Sequence, residues 1–449
     1  MRTADETGVS LRRAARYAVV VGSVVGLVTL PALASPPYAT ALRSVLLVLL
    51  LGLVVRTHVG ALLAVRSESP PDVDLKDPPT VSIVVPAYNE AAVLGDTIDA
   101  ALAVDYPSEA LEIVVCYETE STDATGEIAE RYAAAHDPVV AVGRDEPGGG
   151  KAKATNYALQ YATGEVIASI DADHEFAPDA VRRAVRYFVA DSSTWCVKGR
   201  CFGSNPTDSL LALHATVERH IAELADLYGR EVFGGFTIFG GGQAFFRREL
   251  FDELGAFDEE VLVEDIDMSA RIHAAGKRLR VDPDVVTYEE NPATLDAWWS
   301  QRTRWARGWM QVAVRYLPTL PFDTTLSRTE RADAAYTFLY ALVPVVFVVA
   351  APMFLLDRLL LTGGTVVPYD RLLWSYIGVG PIIAALLVFA RDRLHGYDHH
   401  PTELLAAVTL WFYLFGQSAV YVVAFLDEFV FDRESVYVTT TRADAPADD

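Results

Sequence analysis

Lysine is scarce in this chain: Lys76, Lys151, Lys153, Lys198 and Lys277 are the only five among 37 basic residues, against 60 acidic ones and a formal charge of −23. A surface so acidic and so poor in lysine is unsuited to a phosphate backbone, which excludes nucleic acid as a partner. The composition is instead halophile-like, suited to concentrated salt, where charges are screened within about 3 Å. Cysteine is scarce too. Cys116, Cys196 and Cys201 form no C-x-x-C pair, and their odd count in strand-like surroundings predicts buried, reduced thiols rather than a disulfide framework or a metal clip.

Hydrophobic residues make up 51% of the 449 positions, and they are gathered in a few long runs. Ala15 to Ala34 and Ala41 to Val65 are each near the ~20 residues that a helix needs to cross a bilayer, and they read as a helical hairpin within residues 1–68. The alternative for the first run is a signal peptide, since Arg12, Arg13 and Arg16 open it and Ala32-Leu33-Ala34 has the form of a cleavage site. Three further runs, Ala334 to Leu356, Leu372 to Ala390 and Leu404 to Leu426, fall within 330–427, giving about five transmembrane helices. Arg328 and Arg331 precede the first of these and Arg391 and Arg393 follow the second, so the positive-inside bias expects a multi-pass protein of the cell membrane with a cytoplasmic central domain. The acidic tail, 428–449, is then expected outside.

Between the runs, residues 69–79 form a Pro/Asp-rich linker and residues 80–316 alternate short apolar segments with polar loops. VSIVVPAYNE and LEIVVCYE read as strands each followed by a loop and a helix. Units of this kind predict an α/β, Rossmann-like domain with a largely parallel sheet, its ligands at the carboxyl ends of the strands.

VIASIDADHEF has that placement: Asp171 and Asp173, two apart after a strand, point to one side and suit Mg²⁺ or Mn²⁺, whose shell diphosphate and water would complete. Other D-x-D triplets occur at Asp72/Asp74, Asp265/Asp267 and Asp282/Asp284, so the strand-end context is what singles this one out. GGGKAKATN, Gly148 to Asn156, sets two lysines where a glycine run opens a helix, either a seat for anionic oxygens or a solvated turn. It is no P-loop, because Ala152 follows Lys151. VLVEDIDMSARIHAAG predicts a helix ending at Gly276 with Glu264 and Asp265 at its start. Asp265 there is either a partner of the helix dipole or a general base. AWWSQRTRWARGWM gathers Trp298, Trp299, Trp305 and Trp309 with Arg302, Arg304 and Arg307 on one helix, suited to a membrane interface, to stacking on sugar, or to both.

Taken in order, PAYNE, GGGKAKATN, DAD, FGGGQAFFRR, VEDID and QRTRW resemble the processive branch of the inverting family 2 glycosyltransferases, to which cellulose, hyaluronan and poly-N-acetylglucosamine synthases belong. The likeness runs from about Thr80 to Gly308. It implies a GT-A fold and transfer from a nucleotide-sugar, UDP-linked by preference, to a growing polysaccharide with formation of a β-linkage. The alternative is a single addition to a polyprenyl phosphate or other lipid. A sensor or scaffold built on an inactive transferase domain is the reading outside enzymes. By this resemblance Tyr88, Glu90, Glu118, Lys151, Asp171 and Arg304 hold the donor, Asp171 and Asp173 the divalent metal, and Asp265 is the catalytic base. Gly241, Gly242, Gln243, Gln301 and Trp305 meet the acceptor. One departure is plain: where the family carries a D-D-G-S-T-D-like run, this chain reads Tyr117-Glu118-Thr119-Glu120-Ser121-Thr122-Asp123, which leaves the contact to the base open.

Overall fold

The computed structural model describes residues 4–65, 70–146, 150–346 and 368–433, with side chains from residue 15 onward. Eight strands form one mixed sheet: β1 (Val81–Ala87), β2 (Leu111–Glu118), β3 (Val139–Arg144), β4 (Val166–Ile170), β5 (His174–Phe176), β6 (Thr194–Gly203), β7 (Gln243–Arg247) and β8 (Arg278–Glu289), in the order β3-β2-β1-β4-β7-β6-β8-β5. The half made of β3, β2, β1 and β4 is parallel, as the strand–helix rhythm predicts. β1 is apolar along nearly its whole length and buried throughout, because helices cover both faces of a parallel sheet. β7 then runs antiparallel to β4 and β6, a reversal that no local pattern announces. Its register sets Ile170 opposite Gln243, so the loop before β7 arrives beside the carboxyl end of β4.

The helices Leu94–Leu102, Thr125–Ala135 and Ala180–Ala190 pack Ile98, Ala129, Val185 and Phe188 with the strands in one core. A second and larger core reaches from the sheet to the apolar helices and includes Val84, Trp195, Phe246, Trp298, Phe389 and Leu410. Each such side chain contributes about 1.5–3 kcal/mol when fully buried. The domain and its apolar helices are thus joined by a continuous interior.

Four helices among the described residues are long and apolar enough to cross a membrane: the stretch Ala15–Ala34 of the helix Ala4–Ala34, then Pro36–Leu63, Asp370–Leu394 and Pro401–Phe429. The expected run Ala334 to Leu356 lies partly outside the described residues; its start belongs to the helix Arg328–Tyr340. Arg391 and Asp392 meet Asp284 and Arg200 of the sheet domain, which sets the loop after Leu394 beside that domain. The expected tail, 428–449, lies outside the described residues from residue 434 onward. Arg307 Nε donates to Glu428 Oε2 at 2.9 Å and its Nη2 to the carbonyl of Arg433 at 2.6 Å, so the chain leaves its last helix against the helix Leu295–Tyr316. Both ends of this last helix carry partners from the sheet domain, Glu403 with His220 and Glu428 with Arg307.

Candidate active site

The loops that follow β1 and β2 are tied together by short polar side chains. Asn89, held at φ +55°, accepts from the Thr122 N–H at 2.8 Å, and Asp123 accepts from the N–H groups of Ala91 and Thr125 at 3.0 Å each. Burial works to raise the Asp123 pKa, but these bonds and one from the Thr125 hydroxyl outweigh it and hold the carboxyl below its usual range. Tyr88 is left exposed at the rim, while the Glu90 N–H bonds Thr125 Oγ1 at 2.8 Å. Glu118, expected at the donor, has a partner of its own within the sheet. It is buried at the end of β2 with its Oε2 3.2 Å from Arg144 Nη1, on the residue that pairs with it in register on β3. Burial pushes its pKa up although Arg144 opposes this.

Asp171 and Asp173 emerge at the carboxyl end of β4, each side chain still 30% exposed. Of the competing triplets, Asp267 is buried and accepts from Arg315 and the Tyr316 hydroxyl at 2.8 Å each, and Asp282 and Asp284 face Arg183. Asp72 and Asp74 are exposed in the linker. Asp171, Asp173 and His174 each offer one ligand atom, all within 4.8 Å of one another; the two carboxylates fit a hard divalent cation, while His174 is engaged by Glu289. His174 went unnoticed in the sequence although it directly follows the triplet. Its Nε2 meets the Glu289 carboxylate and lies 3.9 Å from Asp173 Oδ1, and Glu289 in turn pairs with Arg219. Burial alone would lower the imidazole pKa, but the charges of Glu289 and Cys201 and the hydrogen bonds to both together outweigh it and hold the ring well above the usual histidine value. Glu289 itself is drawn down to about 2, Arg219 and His174 overcoming its burial.

Gly240, Gly241 and Gly242 all hold positive φ, at +59°, +66° and +70°, in the loop that leads into β7. The Gly242 carbonyl accepts from the Asp171 N–H at 2.9 Å, which fixes the loop to the D-x-D turn. Gly241 abuts Asp265, which opens the helix Glu264–Ala274 together with Glu264. Burial and the neighbouring Glu264 charge raise the Asp265 pKa to about 7, against the lowering pull of Lys151. Lys151 Nζ lies 2.5 Å from Asp171 Oδ1 and 3.8 Å from Glu264 Oε1. Lys151, Gly241, Gly242, Gln243 and Glu264 line one small cavity, so residues separated by more than a hundred positions converge there. Gln243 reaches it only in part: the residue is buried and its amide holds the Gly199 N–H of β6, which turns the side chain into the sheet.

The helix Leu295–Tyr316 packs against the helix Glu264–Ala274 beside the site. Gly308 admits Val263, which would lie 2.5 Å from a Cβ there, and so brings the helix against the residue that precedes Glu264. Gln301, Arg304 and Trp305 are half-buried on it. Arg302 stacks its guanidinium 4.3 Å from the Trp305 ring centroid and donates to Glu218 at 2.6 Å and to the Tyr413 hydroxyl at 3.0 Å. Trp298 donates to the same hydroxyl at 2.9 Å. The tryptophan-rich segment is therefore bonded directly to the last apolar helix, a partner that sequence spacing did not reveal.

Residues 78–308 match the family model described as glycosyltransferase-like family 2. The probable glycosyltransferase YdaM of Bacillus subtilis is 31% identical over 54% of this chain and 58% of its own length. A beta-monoglucosyldiacylglycerol synthase of Synechocystis is 29% identical over 57% and 53%, and a poly-beta-1,6-N-acetyl-D-glucosamine synthase of Staphylococcus aureus is 27% identical over 55% and 58%. The chain thus spans little more than half the length of these curated relatives. Among solved structures, the mannosyltransferase PcManGT from Pyrobaculum calidifontis, in complex with GDP-Man and Mn²⁺, superposes with a TM-score of 0.61 at 23% identity, over 88% of this chain and 99% of its own, a likeness of fold.

Proposed function

The chain belongs to the family 2-like glycosyltransferases, and from that premise we propose that it moves a sugar, with inversion, from a nucleotide-sugar to an acceptor presented at the membrane. The observation that carries the reading is the convergence of Asp171, Lys151, Glu264 and Asp265 beside one glycine loop, under a tryptophan-bearing helix bonded to an apolar one.

In this reading Asp265 accepts the proton of the acceptor hydroxyl as that oxygen attacks the anomeric carbon. The bond from that carbon to the diphosphate breaks in the same in-line displacement, so an α-linked donor yields a β-linked product. Asp171 and Asp173 would hold the divalent cation, which offsets charge on the departing diphosphate when bound. Lys151 and Arg304 hold the diphosphate oxygens, and the loops bearing Tyr88 and Glu90 form the nucleotide side of the cleft. Trp305, steadied by Arg302, is the platform for the acceptor, with the Gly241 and Gly242 backbone at its entrance. The domain faces the cytoplasm, where nucleotide-sugars are made.

Elongation of a β-linked polysaccharide is the first reading of the acceptor, supported by the likeness to a poly-beta-1,6-N-acetyl-D-glucosamine synthase. Single addition to a lipid is the second, favoured by the likeness to a beta-monoglucosyldiacylglycerol synthase. Purified protein in lipid, given a panel of radiolabelled nucleotide-sugars and Mn²⁺, distinguishes them. A ladder of masses supports the first and one lipid-soluble product the second; absence of transfer from every donor with every acceptor would contradict both.

A further inference from the structure

Lys151 stands in the first turn of the helix Gly150–Leu159, its carbonyl bonded by Thr155 Oγ1 at 2.8 Å and the following Ala152 buried. The backbone is thus anchored while the four-carbon stem carries the ammonium between two carboxylates from different elements, 2.5 Å from Asp171 Oδ1 and 3.8 Å from Glu264 Oε1. Asp171 also belongs to the oxygen set that fits the divalent cation. An ammonium in contact with a carboxylate oxygen and a cation chelated by the same group exclude each other at close range, because like charges repel and the oxygen's lone pairs are shared.

We propose that Lys151 competes with the divalent cation for Asp171, so that the cation enters together with the nucleoside diphosphate and not before it. The inference rests on the metal reading given above. A diphosphate resolves the competition: its oxygens offer the ammonium a new partner, Lys151 leaves Asp171, and the vacated carboxylate would then be open to hold the cation. Glu264 remains as the second counter-charge and limits how far the ammonium travels. Lys151 then acts twice, as a guard on the metal site and as a diphosphate contact. Donor-free enzyme is kept from holding a cation beside the base.

The test measures Mn²⁺ binding to the full chain in detergent by electron paramagnetic resonance, with Mn²⁺ alone and with Mn²⁺ plus UDP or GDP. Lys151→Met is expected to bind Mn²⁺ alone about tenfold more tightly than wild type, the scale of one charge-assisted contact, and to bind the Mn²⁺–nucleotide complex more weakly. Lys153→Met removes a charge two residues away without the Asp171 contact and should change neither value. Unchanged or weaker binding of Mn²⁺ alone by Lys151→Met would overturn the proposal, as would an equal gain in Lys153→Met. Asp173→Asn separates the two levels: if it binds Mn²⁺ with nucleotide as wild type does, the metal reading itself fails, whatever Lys151 does.

Discussion

A Cβ placed on Gly241 would lie 3.1 Å from Asp265 Oδ2, so the glycine loop and the carboxylate assigned as base are in contact with nothing between them. Gly241 also holds φ +66°, which costs a residue with a Cβ about 1–2 kcal/mol. Gly241→Ala should therefore lower the melting temperature slightly and slow transfer more than tenfold as the base is displaced, a barrier change of about 1.4 kcal/mol. At Gly242 a Cβ would lie 2.6 Å from His174 Cε1, on a ring pinned by Glu289. Gly242→Ala should thus cost more stability than Gly241→Ala. Calorimetry with transfer rates on the two variants checks the order, and two variants of wild-type rate would refute the contact.

The pH dependence follows from Asp265. As a base it works only when ionised, and with its pKa raised to about 7 the value of kcat/KM should climb with pH below 7 and level above it. Glu264→Gln removes the like charge that helps raise this pKa, so its acid limb should move to lower pH. The stability sign is opposite to the usual aspartate: the folded chain keeps a proton that the unfolded chain releases near ~3.9. Folding stability therefore falls as pH rises from there towards 7, and Asp265→Asn should melt no lower than wild type at pH 8. A limb that stays put in Glu264→Gln contradicts the assignment of the limb to Asp265.

Much of this site was legible because its signals are local. β1 and β4 are short apolar runs, Asp171 and Asp173 follow the second directly, and Asp265 opens a helix whose end Gly276 marks with φ +67°. What was hidden depends on pairing between distant positions. Glu118 meets Arg144 only because β2 and β3 lie in register, and Gln243 turns to Gly199 only because β7 reverses between β4 and β6. His174 gains its partners from Glu289 and Cys201, which the strand order brings beside it. The three cysteines are buried and free, as their surroundings suggested.

The joint between domain and apolar helices rests on a buried pair. Arg200 grips Asp392 through two bonds of 2.6 and 2.7 Å, and His399 adds a third contact at 2.9 Å. Asp392→Asn would leave Arg200 and Arg391 facing a neutral group in a dry interior, a loss of about 3–5 kcal/mol. Thermal inactivation and trypsin sensitivity in detergent should show it plainly. A variant as stable as wild type would mean that the pair does not hold the joint.

The sidedness proposal has a direct check. Thiols introduced at Ser121, in the loop after β2, and at Ser35, between the first two apolar helices, should react with an impermeant reagent from opposite sides of intact cells. The native cysteines are buried and should stay silent. Labelling of both from the same side would refute the helical hairpin as a membrane crossing.

The central claim, transfer with Asp265 as base, is tested most directly by Asp265→Asn, in which the shape is kept and the base is lost. Nucleotide-sugar affinity, Mn²⁺ affinity and transfer rate are measured on this one variant. The account predicts wild-type affinities with transfer slowed about a hundredfold or more, the scale that loss of a general base carries. Transfer at the wild-type rate would contradict it, and loss of donor binding would move Asp265 from the base to the donor site.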